Sequence, residues 1–188
     1  MEERIQAEEL VREHITDAAA WAHAYATEAI LGALAAHLGR HVLRWRLTGL
    51  LHDIDCDQTA QTPERHGAAG ADMLNMLGFD EEITHAVLSH AHTGEPRASL
   101  LDKALYAADP AARLLLACAQ AQPDGKMAGL TLAQVLRHDK DDAFSPQISR
   151  RQIGACQELG MTRRAFLRLA LQAVQAEAAQ IEGYGNPC

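Results

Sequence analysis

The stretch Leu47-Thr-Gly-Leu-Leu-His-Asp-Ile-Asp55 places two adjacent metal-binding side chains, His52 and Asp53, at the end of an apolar segment. Its leucines favour a helix with one side turned toward the protein interior. A histidine-aspartate pair also arises by chance, or as the cap of a helix, in many proteins. The pair is therefore a candidate metal site only if other ligands lie near it.

The composition favours one all-α domain. The 188 residues suffice for a single domain with a sizeable core, and the chain is rich in alanine and leucine with 4% aromatic residues. A net charge of −8 argues against a nucleic-acid surface, because such surfaces need clustered lysine and arginine. An anionic substrate would then need a local positive charge, which a bound metal supplies.

The start of the chain lacks the apolar core of a signal peptide, and the four cysteines form no CxxC pattern. No apolar run approaches the roughly 20 residues that span a bilayer. These features predict a reduced, cytoplasmic protein without a membrane partner, and they leave an oligomer open.

Glycines, prolines and capping residues mark the expected helix ends. They predict helices over about 2–14, 17–38, 41–53, 66–77, 80–94, 99–118 and 162–181, a loop over 54–65 and a linker over 119–130. The expected caps are Thr16 or Asp17, Asp80 and Ser99. We expect one domain over 1–188, with a metal-binding core over about 15–120 and a C-terminal extension over 131–182 as scaffold or lid.

Three polar side chains share the buried faces of predicted helices. His23 lies within the stripe of period 3.6 on the second helix, and His90 continues the apolar face of the fifth. Asp109 follows two alanines in a very apolar stretch, and a buried carboxylate normally protonates, pairs or binds a metal. Facing helices of a bundle can present such groups to one interior site.

Other interpretations remain open for several of these residues. Asp109 could instead pair with Lys103 or with Arg113, four positions later on the same helix. His66, which opens a predicted helix, could be a ligand or a surface cap. We expect His85 and His92 to face solvent or to support a ligand.

The order His23, His52-Asp53, Asp109 resembles the H…HD…D pattern of the HD-domain superfamily of metal-dependent phosphohydrolases, over about residues 15–120. His66 and His90 stand where two-metal members of that superfamily carry further histidines. The chain is similar to small bacterial HD hydrolases, including those resembling diadenosine tetraphosphate hydrolases.

The resemblance implies a helical bundle with additional C-terminal helices and a site for two ions. His23, His52, Asp53 and Asp109 would hold the first ion, and Asp53 would bridge to a second ion on His66 and His90. Mixed nitrogen and oxygen ligands suit Fe, Mn, Co, Ni or Zn. Two ions would bridge a hydroxide and clamp the phosphoryl oxygens of the substrate.

The chain departs from the family pattern after the pair. Many HD enzymes continue with Gly and Lys, whereas Ile54-Asp-Cys-Asp57 stands here, so a basic residue near the phosphate is absent. Arg65, Lys103 and Arg113 are the candidate replacements for that catalytic cation.

We therefore expect a metal-dependent hydrolase that cleaves a phosphate ester or anhydride of a nucleotide-like small molecule, with His52 and Asp53 at the reaction centre. Two alternatives use the same residues. One is a di-iron oxygenase of the HD fold, and the other is a metal- and nucleotide-binding regulatory module without catalysis.

Overall fold

The fold is entirely helical across the part of the chain that the computed structural model describes. That part is residues 2–91 and 94–185, with 184 and 185 described for the backbone alone. No strand occurs in these ranges, which confirms the predicted all-α class. The helices are α1 (Glu2–His14), α2 (Ala18–His37), α3 (Val42–Leu51), α4 (Cys56–Thr59), α5 (Ala68–Met76), α6 (Glu81–His90), α7 (Leu100–Gln120), α8 (Leu132–Asp139), α9 (Arg150–Gly154), α10 (Arg163–Ala176) and α11 (Ala178–Gly185), with short 3₁₀ turns at Pro63–Arg65 and Ala155–Leu159.

Helix α2 is the centre of the bundle. It packs against α3 most extensively and also contacts α7, α10 and α11. The close approach of α2 and α3 depends on Gly49, because an added Cβ there would lie 2.7 Å from the Cα and the backbone nitrogen of Glu28. A glycine one turn before His52 thus sets the distance between two helices that supply candidate ligands.

The predicted caps at Asp17, Asp80 and Ser99 are confirmed. The side chain of each accepts a hydrogen bond from a backbone N–H in the first turn of α2, α6 and α7, respectively. Thr16 instead bonds to Asp57, with its N–H 2.8 Å and its hydroxyl 2.7 Å from the Oδ2 atom. This bond ties the turn between α1 and α2 to α4.

Three predicted boundaries differ from the structure. The stretch 54–65 is not a plain loop, because it contains α4 and a 3₁₀ turn. Helix α5 begins at Ala68 rather than His66, since Gly67 has a φ of +80° that is incompatible with a right-handed helix. Helix α6 ends at His90 rather than near 94, and the predicted end at 93 lies outside the described residues.

The single long helix predicted over 162–181 is divided at Glu177. This residue has φ −110° and ψ 15°, so α10 ends at Ala176 and α11 begins at Ala178. The Glu177 carboxylate receives two hydrogen bonds from Arg46, at 2.7 and 3.0 Å, across 131 positions of sequence. The helix periodicity is continuous across 177, so the break is visible only in the tertiary structure.

An ion-pair network centred on a buried carboxylate joins α1 and α11 to the central helices. Glu28 of α2 is fully buried, and its carboxylate accepts hydrogen bonds from Arg4 at 2.6 and 2.9 Å and from Arg46 at 2.9 Å. Because Arg46 also binds Glu177, the network connects α1, α2 and α3 with the start of α11. Among residues 2–91 and 94–185, none of the helices combines the length with the hydropathy that crossing a bilayer requires.

Candidate metal centre

The structure brings together the six side chains expected to be metal ligands. They converge from five segments of the chain, as His23 of α2, His52 and Asp53 directly after α3, His66 after the 3₁₀ turn, His90 at the end of α6 and Asp109 of α7.

One group of ligands surrounds the Nε2 atom of His23. This atom lies 3.1 Å from the Nε2 of His52 and 3.0 Å from the Oδ1 of Asp109. The ligand atoms of these three residues lie within 4.8 Å of one another, a spacing that can hold a metal ion. The Oδ2 of Asp53 lies 3.4 Å from the same His23 atom.

The other oxygen of Asp53 faces a second group. Its Oδ1 lies 3.3 Å from the Nε2 of His66, 3.4 Å from that of His90 and 3.3 Å from that of His52. His52, Asp53 and His90 also lie within 4.8 Å of one another. The carboxylate of Asp53 therefore stands between two clusters of imidazole nitrogens.

Hydrogen bonds fix the tautomers of three of the histidines. The Nδ1 of His52 lies 2.8 Å from the carbonyl oxygen of Gly49, and that of His90 lies 2.5 Å from the carbonyl oxygen of Val87. The Nδ1 of His66 contacts an aspartate oxygen in the same way. Because these oxygens only accept, each Nδ1 carries a proton and donates it, so the Nε2 lone pair faces the site when the ring is neutral.

The cluster also shifts the pKa values of its members. Burial lowers the pKa of His52 to about 4, which keeps this imidazole neutral at pH 7. Burial opposes ionisation of Asp53, but the surrounding histidines hold its pKa well below the ordinary value. The neighbouring carboxylates of Asp53 and Asp55 raise the pKa of His66 to about 10, so a metal ion bound there would replace a proton.

The residues present fit a metal ion. The Oδ1 of Asp53 and the Nε2 of His90 are buried and find no hydrogen-bond partner among the described residues, a costly arrangement that a cation between them would remove. Four imidazole nitrogens and two carboxylates form a donor set that suits divalent transition metals.

Arg113 is the candidate cation that reaches the cluster. Its Nη2 lies 2.9 Å from the Oδ2 of Asp53, and its Nε lies 2.9 Å from the Oδ1 of Asp109, four positions earlier on α7. The ion pair weighed as an alternative for Asp109 is thus present, and the same carboxylate also contacts His23. The Arg113 side chain remains 45% exposed, so part of the guanidinium is accessible to a ligand.

Arg65 and Lys103 lie elsewhere, which corrects the expectation that they replace the missing basic residue. Within the described ranges neither makes a hydrogen bond or ion pair with the cluster, and neither lines the adjoining cavity. Lys103 precedes Asp109 by six positions, which turns it about 120° away around the helix. Arg65 is an exposed residue of the 3₁₀ turn.

His85 contacts Asp102 and, among the described residues, none of the six candidate ligands. Its Nδ1 lies 3.0 Å from the Oδ2 of Asp102, a buried carboxylate at the start of α7. His92, which was expected to behave like His85, lies outside the described residues.

Asp55 contacts a candidate ligand, although the sequence pattern treats it only as a departure. It is fully buried, and its Oδ2 accepts hydrogen bonds from the N–H groups of Gly67 at 2.8 Å and Gly70 at 2.9 Å. Its Oδ1 accepts the Nδ1–H of His66 at 2.9 Å. The signal available in the sequence was an acidic residue between two apolar helices, close to the pair.

A cavity of about 260 Å³ opens beside the cluster. His66, His90, Asp109 and Arg113 line one part of it, and residues 147–149 together with Gln152 of α9 line another. The C-terminal extension therefore contributes to the wall of the site, which sequence patterns did not reveal.

The metal-ligand geometry and helical fold agree with the comparison of the sequence with known families. The HD domain family matches residues 20–116, which is more than half of the chain, and the chain belongs to this family of metal-dependent phosphohydrolases.

Relatives with curated names are similar over part of the chain. It is 32% identical over 87 residues to Ribonuclease Y of Nitratidesulfovibrio vulgaris (strain DP4), covering 46% of this chain and 17% of that protein. It is 33% identical over 87 residues to Ribonuclease Y of Pelobacter propionicus, covering 46% and 16%, and 37% identical over 75 residues to that of Fervidobacterium nodosum, covering 40% and 14%. The chain thus spans less than a fifth of these relatives, and no solved structure gives a significant match.

Proposed function

We propose that this chain is a two-metal phosphohydrolase that cleaves a phosphate ester or anhydride of a nucleotide-like small molecule. The observation that carries the proposal is the position of Asp53, whose Oδ2 faces His23 while its Oδ1 faces His66 and His90. A carboxylate with ligand groups on both sides is the arrangement that a bridged pair of ions requires.

The two ligand groups would divide between the ions. His23, His52 and Asp109 would hold one ion, His66 and His90 the other, and Asp53 would contact both. When bound, two such ions supply a nucleophilic water at neutral pH and offset charge on the phosphoryl oxygens. Fe, Mn, Co, Ni and Zn are the candidate metals by donor type.

Arg113 would orient the phosphate. It is the sole lysine or arginine among the described residues that line the cavity, and its exposed part can donate to a phosphoryl oxygen. Asp53 and Asp109 fix the guanidinium through its other nitrogens. Although burial opposes it, these carboxylates raise the pKa of Arg113 above its ordinary value, so the positive charge persists throughout the working pH range.

The test combines metal analysis with phosphate release. Protein purified without chelators is expected to carry about two transition-metal ions per chain and to release phosphate from nucleotides. His52→Ala and Asp53→Ala should lose both metal and activity, whereas His37→Ala and Asp72→Ala, at exposed positions on α2 and α5, serve as matched controls. Full turnover by the metal-free protein would contradict the proposal.

Two further measurements on the same protein separate the two alternatives. Substrate-dependent oxygen uptake by the iron-loaded protein, without phosphate release, would indicate a di-iron oxygenase. Stoichiometric nucleotide binding without turnover under several metals would indicate a regulatory module.

An RNA phosphodiester is a second candidate substrate, favoured by the similarity to proteins named Ribonuclease Y. The net charge of −8 opposes it, because RNA backbones bind to basic surfaces. Cleavage of an end-labelled oligoribonucleotide by the metal-loaded chain, faster than release of phosphate from mononucleotides, would favour RNA.

A further inference from the structure

The cavity beside the metal centre has a wall of neutral hydrogen-bonding groups. Gln147, Ser149 and Gln152 line it, and all three lie beyond the region 20–116 that matches the HD domain. The side-chain amides of both glutamines make no hydrogen bond with the described residues, so their donors and acceptors are free for a ligand. The Ser149 oxygen accepts the Gln152 N–H at 3.3 Å and keeps its own hydrogen for donation.

Arg150 fixes the backbone of this wall. Its guanidinium lies inside the loop between α8 and α9 and donates hydrogen bonds to backbone carbonyl oxygens around that loop. The acceptors are those of Ser145 at 2.7 Å, Ile148 at 2.9 Å, His138 at 3.1 Å, Asp141 at 3.2 Å and Phe144. A wall held by so many bonds is preorganised, so a ligand that contacts it pays little ordering entropy.

The cavity lacks an aromatic platform for a nucleobase. No Phe, Tyr or Trp of the described residues lines it. The other aromatic side chains of the described residues lie elsewhere. The core buries Trp21, Trp45, Tyr25 and Phe166, and another groove contains Phe79. Phe144 packs on His138, and Tyr106 lies beneath Arg97. Stacking on aromatic rings is the usual way in which proteins hold bases without reading them.

The volume of the cavity also argues against an enclosed nucleobase. At about 260 Å³ the cavity lies below the range of about 300–1,000 Å³ typical of sites that enclose drug-sized ligands. It suits a phosphate and the group joined to it rather than an entire nucleotide.

Resting on the proposed function, we infer that the cavity binds the sugar-phosphate part of a nucleotide and leaves the base outside. Gln147 and Gln152 are the specificity-determining residues, and their amides bind the sugar hydroxyls while Arg113 and the metal centre bind the phosphate. The chain therefore accepts nucleotides irrespective of the base.

Binding of non-hydrolysable probes tests this inference. The probes are phosphonate analogues of the four ribonucleoside monophosphates and of ribose 5-phosphate, with methylphosphonate as a reference that has no sugar. Calorimetry on the metal-loaded full chain should give dissociation constants within about fivefold of one another for the five sugar-containing probes, and all tighter than that of methylphosphonate.

The double variant Gln147→Ala/Gln152→Ala should reduce the affinity ratio of the ribose probe to methylphosphonate by about tenfold. Gln157→Ala, an exposed glutamine outside the cavity, is the matched control, and thermal melting verifies that each variant is folded. A hundredfold preference among bases, a ribose probe that binds no better than methylphosphonate, or an unchanged ratio in the double variant would overturn the inference.

Phosphate release from the natural nucleotides tests the proposed function separately. Base-independent binding without hydrolysis would contradict the hydrolase and leave the inference standing. Hydrolysis accompanied by strong selection of one base would support the hydrolase and contradict base-independent binding.

Discussion

The Nδ1 atom of His66 lies 2.9 Å from the Oδ1 of Asp55, so an aspartate two residues after the His52-Asp53 pair orients a candidate ligand of the metal centre. The backbone of Gly67 and Gly70 saturates the other oxygen of Asp55. The departure from the family pattern after the pair therefore includes a support for the His66 and His90 side of the site.

Replacing Asp55 with Asn should weaken metal binding. The asparagine amide has one acceptor oxygen, so it can accept a hydrogen bond from His66 or from the two glycine N–H groups, but not from both. Loss of such a supporting partner typically lowers metal affinity by about 10–100-fold. Competition titration with a chromophoric chelator measures the loss, with Asp72→Asn as the control at an exposed position. Unaltered affinity for both ions would mean that His66 needs no orientation by Asp55.

Metal loading should stabilise the fold. A cation would satisfy the buried Oδ1 of Asp53 and Nε2 of His90, which lack a hydrogen-bond partner within residues 2–91 and 94–185. With free metal at about 100 times Kd the gain is about 2.7 kcal/mol. For a chain of this size that corresponds to a rise in Tm of roughly 5–10 °C. Thermal melting with and without chelator measures the shift, which His52→Ala should largely abolish; an equal shift in that variant would place the ion elsewhere.

Gly49→Ala should separate α2 from α3. The new Cβ would lie 2.7 Å from backbone atoms of Glu28, so the helices must move apart at a cost of about 1–3 kcal/mol. Urea denaturation measures the cost, and the metal affinity of the folded variant reports the displacement of His52. Gly183→Ala is the control, because no atom of the described part of the chain lies within 4 Å of the added Cβ in α11. Equal stability of the two variants would show that α2 and α3 accommodate the added Cβ without cost.

Glu28→Gln should destabilise the whole chain. Removing the charge weakens the hydrogen bonds that Arg4 and Arg46 donate to this buried carboxylate, and loss of a hydrogen bond to a charged group costs about 1.5–3 kcal/mol. The control Glu82→Gln removes a carboxylate 2.9 Å from Arg44 that is 37% exposed, where the cost is about 1 kcal/mol or less. Chemical denaturation compares them, and similar midpoints would indicate that Glu28 contributes no more than a surface pair.

The candidate ligands could be nominated from sequence because helix periodicity determines which residues face inward. His23 and His90 continue apolar stripes, and Asp109 lies among alanines, so each was expected in the interior. Periodicity does not determine which lysine or arginine side chain contacts the metal ligands. Arg65, Lys103 and Arg113 were therefore equal candidates, and only the packing of α7 against the ligand cluster distinguishes Arg113 from the other two.

Local sequence patterns suffice for the helical class, the capped starts of α2, α6 and α7, and the membership of residues 20–116 in the HD domain family. These features depend on local hydrogen bonds, side-chain entropy and the order of a few residues along the chain. Sequence patterns do not reveal the break at Glu177, the support of His66 by Asp55 or the cavity wall at 147–152, because each depends on contacts between residues distant in sequence. Such contacts follow from how the helices pack, which local patterns do not encode.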